Sequence, residues 1–493
     1  MDSADDSAGI ATLTLVIVVA LVTIDVAVRV LAIIFVPRDR RPQTAAAWLL
    51  AIFFIPYLGI LLFLMLGSAK LPKDRRRKQQ EINDYLLATT EGIERAALDR
   101  PLPEWLRPIV ELNRKLGAMP LVGGNSAQLY SRNEDAYASM TAAVNAAKKT
   151  VHVEFYILSL DTTTAPFFDA LERAIARGVT VRVLLDHLGN RQYPGYRRTK
   201  SRLTEMGADW HLMLPFQPLR GRIQRPDLRN HRKLVVIDGE TAFTGSANFI
   251  DPSYQRRSNV KRGLVWKDFM ARFEGPVVAG IDAIFVTDWY SETDELLTRE
   301  AAEVRGAHAG VLDCQVVPSG PGFEGENNLR LFNSLVYAAT DKIILTSPYF
   351  VPDDSMLYAI TTAAQSGIHV ELFVSEIGDQ FLVYHAQRSY YEALLRAGVR
   401  IFLYRAPTIL HAKHMTIDDE ISIIGSSNMD MRSFTLDLEL SIMVRGGDFL
   451  PQLREIEDEY RANSRELTLD EWLSRPFLKQ AFDNVARLTS ALQ

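Results

Sequence analysis

The sequence predicts an α/β fold: two pseudo-symmetric α/β sandwich halves that share one active site, preceded by an N-terminal two-helix membrane hairpin. Three observations support this prediction. Strand and helix patterns recur in the same order in two parts of the chain, a polar motif repeats at a fixed spacing, and two long apolar runs lie near the N-terminus. Alternating strands and helices are typical of layered α/β domains.

Residues 1–69 are predicted to form the hairpin, with spans at about 11–36 and 45–66. Each run is long enough to cross a bilayer core of roughly 30 Å as a helix. A cleaved signal peptide is the alternative, but MDSADDSAG carries acids and no base, and a second apolar run follows. Asp25 and Arg29 interrupt the first span at a spacing that pairs them on one helix face, as a structural pair or as a functional polar contact.

Basic residues predict the orientation of the hairpin. The turn RDRRPQ carries three arginines, whereas six basic residues lie between Lys70 and Lys78. The larger cluster is expected to stay cytoplasmic. We therefore expect a multi-pass protein of the cell membrane whose catalytic part is cytoplasmic.

Residues 70–115 are predicted as a helical linker, 116–300 as the first half and 301–493 as the second half. In the first half, the strands VHVEFYIL and VTVRVLLD flank the helix FFDALERAIARG. In the second half, KIILTSPYF and IHVELFVS flank MLYAITTAAQSG. An internal duplication explains this shared order, and the boundary between the copies is expected near 295–312.

One polar motif occurs in both copies, as HRKLVVIDGETAFTGSAN and HAKHMTIDDEISIIGSSN. The matched residues lie at one fixed offset of 180 positions: His231, Lys233, Asp238, Gly245, Ser246 and Asn248 in the first copy, and His411, Lys413, Asp418, Gly425, Ser426 and Asn428 in the second. Histidines that merely cap core strands would not keep this register. The repeat therefore indicates a shared functional site.

These residue types suit phosphoryl transfer. One imidazole attacks phosphorus and the other protonates the departing oxygen. The two lysines, the two asparagines and the serines Ser246 and Ser426 hold the phosphate oxygens, and the backbone near each Gly-Ser pair can approach closely because glycine has no side chain. Asp238 and Asp418 either take part in catalysis or brace the corner after each strand.

A nucleophilic histidine needs an acceptor for its second ring nitrogen. Glu439 is the candidate in the second half, with Asp437 on the same strand face, and Asp268 is its candidate counterpart in the first half.

Composition limits the remaining chemistry. The single cysteine, Cys314, excludes an internal disulfide and is expected to be a small buried residue. The nine histidines show no metal-ligand spacing, so we expect neither a metal nor a cofactor.

The net charge of −5 is mild, but residues 191–262 contain 15 Lys and Arg against 6 Asp and Glu. This basic zone suits an anionic lipid or a nucleic-acid backbone. The neighbouring segment HLMLPFQPL is either an apolar loop that enters the membrane interface or a flap on the core.

The repeated HxKxxxxD motif, with Gly-Ser-x-Asn after it, resembles that of the phospholipase D superfamily. The segments RSFTLDLE, SPYFVPD and FEGPVV, and the hairpin with Trp48, Pro56 and Gly59, are similar to bacterial cardiolipin synthases of that superfamily. The resemblance covers nearly the whole chain. It implies a covalent phosphohistidine, and phosphatidyl transfer between two phosphatidylglycerol molecules that gives cardiolipin and glycerol, in the bacterial plasma membrane. Asp437 departs from the pattern, because similar synthases usually carry asparagine there.

Three alternatives stay open at this point. Water as the acceptor would make the chain a phospholipase D-type hydrolase, and a nucleic-acid substrate would make it a nuclease. The third is a catalytically silent membrane scaffold. The apolar hairpin favours phosphatidylglycerol and anionic membrane lipid as partners, with no nucleic acid expected, since a nuclease groove would carry stacking aromatic residues.

Overall fold

The computed structural model of the chain describes residues 2–38, 40, 42–67, 71, 73–90, 98, 100–217, 222–223, 225–297, 310–323, 325–488 and 490. The chain divides into two units, Met1–Lys70 and Leu71–Gln493. The predicted boundary between the halves, near 295–312, lies largely outside the described residues.

The first unit contains three helices: α1 (Asp2–Phe35), α2 (Pro42–Phe54) and α3 (Pro56–Leu66). Within α1, the stretch Thr12–Phe35 has 24 residues and a mean hydropathy of 2.6, which is long and apolar enough to cross a membrane. The predicted ion pair is present there, with Arg29 Nε 2.8 Å from Asp25 Oδ2.

The structure corrects the second predicted span, 45–66, because this run is divided at Ile55 into α2 and α3. Proline has no backbone N–H and disrupts the preceding helical turn, so a new helix begins at Pro56. The two helices pack closely at Gly59, where a Cβ would lie 2.6 Å from the Ala51 carbonyl oxygen. With 13 and 11 residues, each is shorter than the roughly 20 residues that a span needs.

The second unit begins with two helices, α4 (Lys73–Thr90) and α5 (Arg107–Gly117). The part of the predicted linker at 91–97 and 99 lies outside the described residues. Arg75 and Lys78 of α4 form ion pairs with Glu292 and Asp294, which tie this helix to the first half.

The strands of the first half are β1 (Leu121–Tyr130), β2 (Thr150–Phe155), β3 (Thr180–Asp186), β4 (Asp209–Met213), β5 (Phe216–Gln217), β6 (Arg222–Ile223), β7 (Arg229–Asn230), β8 (Lys233–Ile237), β9 (Thr241–Gly245), β10 (Val265–Lys267) and β11 (Met270–Glu274). Its helices are α6 (Asn133–Ala146), α7 (Ala165–Ala176), α8 (His187–Arg191), α9 (Tyr196–Glu205), α10 (Arg257–Arg262) and α11 (Val277–Thr293).

The strands of the second half are β12 (Leu312–Ser319), β13 (Lys342–Thr346), β14 (Phe350–Val351), β15 (His369–Ser375), β16 (Arg400–Tyr404), β17 (Thr408–Leu410), β18 (His414–Ile417), β19 (Ile421–Gly425), β20 (Met429–Asp430), β21 (Asp437–Gly446) and β22 (Ser464–Leu467). Its helices are α12 (Asn327–Ala338), α13 (Asp354–Gln365), α14 (Phe381–Arg388), α15 (Tyr391–Ala397), α16 (Met431–Thr435), α17 (Phe449–Ala462), α18 (Leu469–Leu473) and α19 (Phe477–Arg487).

One continuous sheet runs through both halves. Its strand order is β22-β16-β15-β13-β18-β19-β21-β12-β1-β11-β9-β8-β2-β3-β4. Read outward from the β12–β1 pair, the two sides repeat the same arrangement, and β22 is an addition at one edge. The predicted α/β class is confirmed, and the duplication is visible as a pseudo-twofold relation across the antiparallel β12–β1 pair.

Apolar clusters lie on the faces of this sheet. One is built from first-half residues and another mainly from second-half residues. A third joins the halves, with the Phe273 and Phe449 rings stacked at 6.3 Å between centroids. Cys314 is buried in this shared cluster, as predicted.

The segment HLMLPFQPL also contributes to the shared cluster. Met213 and Leu214 are fully buried there, because β4 continues the sheet beside β3. The described part of this segment therefore covers the core, and these two side chains are not free to enter a membrane interface.

Candidate functional site

Both motif histidines lie where the two halves meet. Each follows a short strand that pairs in parallel with a strand of the other half, β7 with β21 and β17 with β10. The backbone continues this pairing, because His231 N–H donates to the Leu438 carbonyl at 2.9 Å and His411 N–H donates to the Lys267 carbonyl at 2.8 Å. Neither histidine is positioned by its own half alone.

The carboxylates cross in the same way. His231 Nδ1 lies 2.9 Å from Glu439 Oε1, and His411 Nδ1 lies 2.7 Å from Asp268 Oδ1. The sequence indicated both carboxylates but not this exchange: each histidine is held by the carboxylate of the opposite half. A carboxylate that accepts from Nδ1–H leaves Nε2 as the ring nitrogen without a proton, and in His411 this atom lies 3.2 Å from Lys413 Nζ.

The two serines support these carboxylates. The hydroxyl of Ser426 donates to Glu439 Oε2, and it accepts the backbone N–H of Leu440 at 3.0 Å. Ser246 accepts the N–H of Phe269 at 3.1 Å in the matching position. Their hydroxyls are engaged by the strands that carry the carboxylates, and the phosphate-binding role of Ser246 and Ser426 stays a prediction.

The glycines before these serines allow the strands to approach. A Cβ on Gly245 would lie 2.6 Å from the Phe269 carbonyl oxygen, and one on Gly425 would lie 2.2 Å from the Leu440 carbonyl oxygen. Such distances are shorter than any ordinary contact. Glycine is therefore required for the serine–carboxylate contact in each half.

Lys233 and Lys413 are buried beside the histidines. The Lys413 ammonium donates to the His411 carbonyl at 2.7 Å, and the Lys233 ammonium donates to the His231 carbonyl. Burial lowers the pKa of Lys233 to about 7 and that of Lys413 to about 8, against the opposing effect of nearby carboxylates. An arriving phosphate would favour the charged form of both lysines.

The motif asparagines present buried polar atoms without a partner. Asn248 Nδ2 donates to the Tyr254 hydroxyl at 2.8 Å. Its Oδ1, and that of Asn428, have no hydrogen-bond partner among the described residues. Because the oxygen and nitrogen of an amide exchange by a simple flip, each of these amides can turn a donor toward an anionic ligand.

Asp238 and Asp418 lie at the far end of their strands from the histidines. Asp238 accepts three backbone N–H groups, from Lys148, Lys149 and Thr150, at 2.7 to 2.9 Å. Asp418 accepts the equivalent N–H groups of residues 340–342 at 2.8 to 3.0 Å. Each carboxylate fastens the start of a strand to the motif, and this contact favours the bracing role over direct catalysis.

Burial and charge separate the two histidine–carboxylate pairs. Burial, followed by Lys233 and Lys413, lowers the pKa of His231 well below its usual value. Burial raises the pKa of Glu439 to about 7. Burial also tends to raise the pKa of Asp268, but the charge and hydrogen bond of His411 and the charge of Lys413 outweigh it, so this pKa is lowered. Asp268 is the more firmly ionised carboxylate.

Sequence reasoning missed several residues at the site. Tyr156 lies beside His231 with 5.0 Å between ring centroids, and Tyr254 and Tyr349 lie at 6.5 and 6.3 Å from the His411 ring. Arg432 forms an ion pair with Asp437 at 3.1 Å. Tyr156 and Tyr349 lie within predicted strand segments and Tyr254 follows the first motif, but no spacing rule marked them.

Arg232, between the histidine and lysine of the first motif, was also missed. It is buried, donates from Nε to the Glu439 carbonyl oxygen at 3.1 Å, and forms an ion pair with Asp288. It therefore holds the backbone of the residue whose side chain faces His231.

Comparison with known proteins agrees with this geometry. The family model described as cardiolipin synthase, PLD-like domain, matches residues 140–289 and 333–460, and the model of the phospholipase D-nuclease N-terminal region matches residues 27–68. Cardiolipin synthase A of Proteus mirabilis is 32% identical over 92% of this chain and 94% of its own length. That of Serratia proteamaculans is 32% identical over 89% of this chain and 91% of its own length.

A phosphatidylserine synthase from Haemophilus influenzae has a similar solved structure. The TM-score is 0.60 at 16% identity, and the match covers 78% of this chain and 100% of the other. Together, fold and site define a phosphatidyltransferase of the phospholipase D superfamily, as the sequence predicted. Within that superfamily, the chain belongs to the cardiolipin synthase family.

Proposed function

We propose that this protein makes cardiolipin and glycerol from two phosphatidylglycerol molecules in the bacterial plasma membrane. One observation carries the proposal: two histidines of two homologous halves meet in one site, and each is oriented through Nδ1 by a buried carboxylate. That arrangement leaves two Nε2 atoms for a displacement at phosphorus. The choice of cardiolipin as the product follows from the similarity of the chain to cardiolipin synthases.

His231 is the nucleophile in this proposal. Its pKa is lowered well below the usual value, so the ring is unprotonated at neutral pH and Nε2 holds a free electron pair. In the first step Nε2 forms a bond to the phosphorus of one phosphatidylglycerol. The bond from phosphorus to the glycerol oxygen breaks.

His411 transfers the proton. Burial lowers the pKa of His411 as well, but the ionised, hydrogen-bonded Asp268 raises it, and the bound anionic substrate adds to this stabilisation of the imidazolium form. His411 protonates the departing glycerol in the first step. It then takes the proton of the headgroup hydroxyl of a second phosphatidylglycerol, whose oxygen displaces His231 from phosphorus and completes cardiolipin.

Lys233, Lys413, Asn248 and Asn428 bind the non-bridging phosphate oxygens. Their buried positions strengthen each charge interaction, because little water competes for the ligand. This task accounts for two buried ammonium groups and for two buried amides whose unpaired oxygens can exchange places with their NH2 donors by a flip.

The test uses the purified full chain in micelles that contain phosphatidylglycerol. We expect cardiolipin and glycerol in equal amounts. His231→Ala and His411→Ala should each lower the rate by at least about 10³-fold, whereas the matched control His211→Ala, at a partly exposed histidine in the same half, should keep it. Phosphatidic acid as the sole product would identify a hydrolase instead.

A phosphohistidine assay assigns the two roles. Rapid quenching with ³²P-labelled phosphatidylglycerol should label the wild-type chain and the His411→Ala chain more strongly than the His231→Ala chain. Label retained on His231→Ala but lost on His411→Ala would reverse the assignment.

For the membrane segment, we propose that α1 crosses the bilayer and that α2 and α3 together make a second, kinked crossing. The catalytic unit then lies on the cytoplasmic side. The basic residues of α4 support this side. Single cysteines introduced into a Cys314→Ser chain test it: positions in α4 should resist a membrane-impermeant thiol reagent in intact cells and react after lysis. Labelling in intact cells would contradict this orientation.

A further inference from the structure

A basic cavity lies in the first half, outside the histidine site. It has a volume of about 560 Å³ and is formed around α8, α9 and the segment between them. This volume falls within the range of small-ligand pockets, roughly 300–1,000 Å³. Its lining combines four cations and two phenols: Arg191, Arg197, Arg198, Lys200, Tyr193 and Tyr196.

The described residues leave these four cations without a carboxylate partner. Among the described residues, none of them forms an ion pair with a carboxylate, whereas Arg202 on the same helix α9 is bound to Asp169 and Glu172 at 2.9 and 2.7 Å. Lys200 Nζ lies 4.4 Å from the centroid of the Tyr196 ring. The positive charge therefore remains available to an anion.

Nearby positive charges act on a histidine in the cavity wall. His187 lines the cavity, and its pKa is lowered by burial and then by the positive charges of Arg229, Arg191 and Lys200. The lowered pKa of His187 indicates a positive potential at this wall, because the adjoining carboxylate, Asp186, is paired with Arg229 at 3.2 Å.

Aromatic rings connect the cavity with the histidine site. Tyr193 packs against Tyr254 at 5.5 Å between ring centroids, and Tyr254 lies 6.5 Å from the His411 ring. Two rings therefore separate the cavity from the site where we propose that lipid reacts. The cavity is beside the reaction but does not contain its groups.

We propose that this cavity binds the phosphate of an anionic phospholipid headgroup, as a second lipid site that retains the lipid next to the histidine site. The proposal rests on the proposed function for its lipid, and on the cavity for its location. The same chemistry, a phosphate ester held by cations and phenol hydroxyls, is offered by free glycerophosphate. A nucleic acid fits less well, because single-strand sites are extended grooves over several nucleotides.

The binding test uses the full chain with His231→Ala and His411→Ala, so that no lipid is consumed. Calorimetry with dihexanoyl phosphatidylglycerol should detect two molecules per chain. Arg197→Gln with Arg198→Gln should weaken one of these sites at least roughly tenfold, since each cation near an anionic lipid surface contributes on the order of 1 kcal/mol.

The matched control removes the same charge elsewhere in the first half. Arg173→Gln with Arg177→Gln, at the end of α7, should leave both sites unchanged. Equal weakening by the two double variants, or no weakening by the cavity variant, would overturn the proposal, because charge alone or another surface would then explain the binding.

Competing probes identify the source of the phosphate. sn-Glycerol 1-phosphate should bind the cavity much more weakly than dihexanoyl phosphatidylglycerol, and dihexanoyl phosphatidylcholine should not displace the anionic lipid. Equal affinity for the free glycerophosphate would overturn the lipid assignment, as would tighter binding of a single-stranded oligonucleotide at the same residues.

A kinetic measurement adds a second readout in the active chain. In mixed micelles, the surface fraction of phosphatidylglycerol that gives half the maximal rate should rise severalfold in the cavity variant and stay at the wild-type value in the α7 control. If the wild-type chain makes no cardiolipin, the proposed function fails while the calorimetric result still decides the cavity.

Discussion

His231 and His411 hold corresponding positions, but the carboxylates that face them differ. Glu439 titrates near neutral pH and Asp268 stays ionised. Duplication thus produced two similar histidine–carboxylate pairs that burial and neighbouring charges have made electrostatically unequal. This inequality is the physical basis for assigning nucleophilic attack to one histidine and proton transfer to the other.

Glu439→Gln and Asp268→Asn test this division. Each change keeps the size of the side chain but removes the charged acceptor of Nδ1–H, so we expect the rate to fall by roughly 10²- to 10⁴-fold. Glu240→Gln, at an exposed glutamate, is the matched control and should keep wild-type turnover. Near-normal rates in either buried variant would show that the acceptor is dispensable.

The two buried lysines should control how kcat/KM falls at alkaline pH. Lys233 and Lys413 have pKa values lowered to about 7 and 8, so the free enzyme loses positive charge as the pH rises through this range. We expect kcat/KM to fall above about pH 7 to 8, and kcat to fall only at higher pH, because bound phosphate holds the protons. A kcat/KM that is level to pH 10 would contradict this account.

The charge of Asp437 should affect the acid limb of the kcat/KM profile. Its charge raises the pKa of His231, against the stronger lowering by burial. Asp437→Asn removes this effect. The pKa of His231 should fall further, and the acid limb of kcat/KM should move to lower pH. A shift in the opposite direction would mean that another group controls that limb.

At the scale of elements, a stability measurement can test the backbone contacts of the motif aspartates. Asp418→Asn replaces a charged acceptor of three N–H groups, and we expect a loss of about 1–3 kcal/mol in the free energy of unfolding at pH 7. The pKa of Asp418 is lowered, since its backbone hydrogen bonds outweigh the opposite effect of burial. Its stabilisation is therefore complete at neutral pH and lost as the pH falls below the usual aspartate range.

Urea unfolding at pH 7 and at pH 3 measures this difference, which should shrink at the lower pH. The folded fraction of Asp418→Asn should keep its turnover, because the carboxylate is distant from the histidines along β18. A large loss of kcat in fully folded protein would restore a catalytic role for this residue.

The elements that the sequence predicted well are those with strong local patterns. The strand–helix–strand unit β2-α7-β3 and its counterpart β13-α13-β15 follow the predicted segments closely, and both helices end before the predicted glycines, Gly178 and Gly367, which have positive φ. The second apolar run was mistaken for one helix because hydropathy averages over Pro56.

The exchange of carboxylates was beyond single-sequence reasoning. Glu439 follows Ser426 by 13 positions, whereas Asp268 follows Ser246 by 22 positions, so the fixed offset that revealed the motif fails here. The first half contains α10 in this longer interval. The pairing depends on contacts between residues 208 and 143 positions apart, which no local pattern encodes.

At the scale of the whole molecule, all groups of the site come from one chain. A mixture of the His231→Ala chain and the His411→Ala chain should therefore stay inactive, because neither chain holds a complete pair of histidines. Co-purification through two different tags, followed by the cardiolipin assay, measures this. Recovery of about a quarter or more of the wild-type rate would indicate that sites form between chains.

The crossed carboxylates also constrain how the two halves can evolve. A substitution beside His231 changes its contact with Glu439 of the other half, so a change in one repeat affects a site residue of the other. A chimera that joins the first half of this chain to the second half of a distant relative would inherit a foreign acceptor for each histidine. The two repeats are thus separate copies in sequence, but each needs the other to complete its histidine–carboxylate contact.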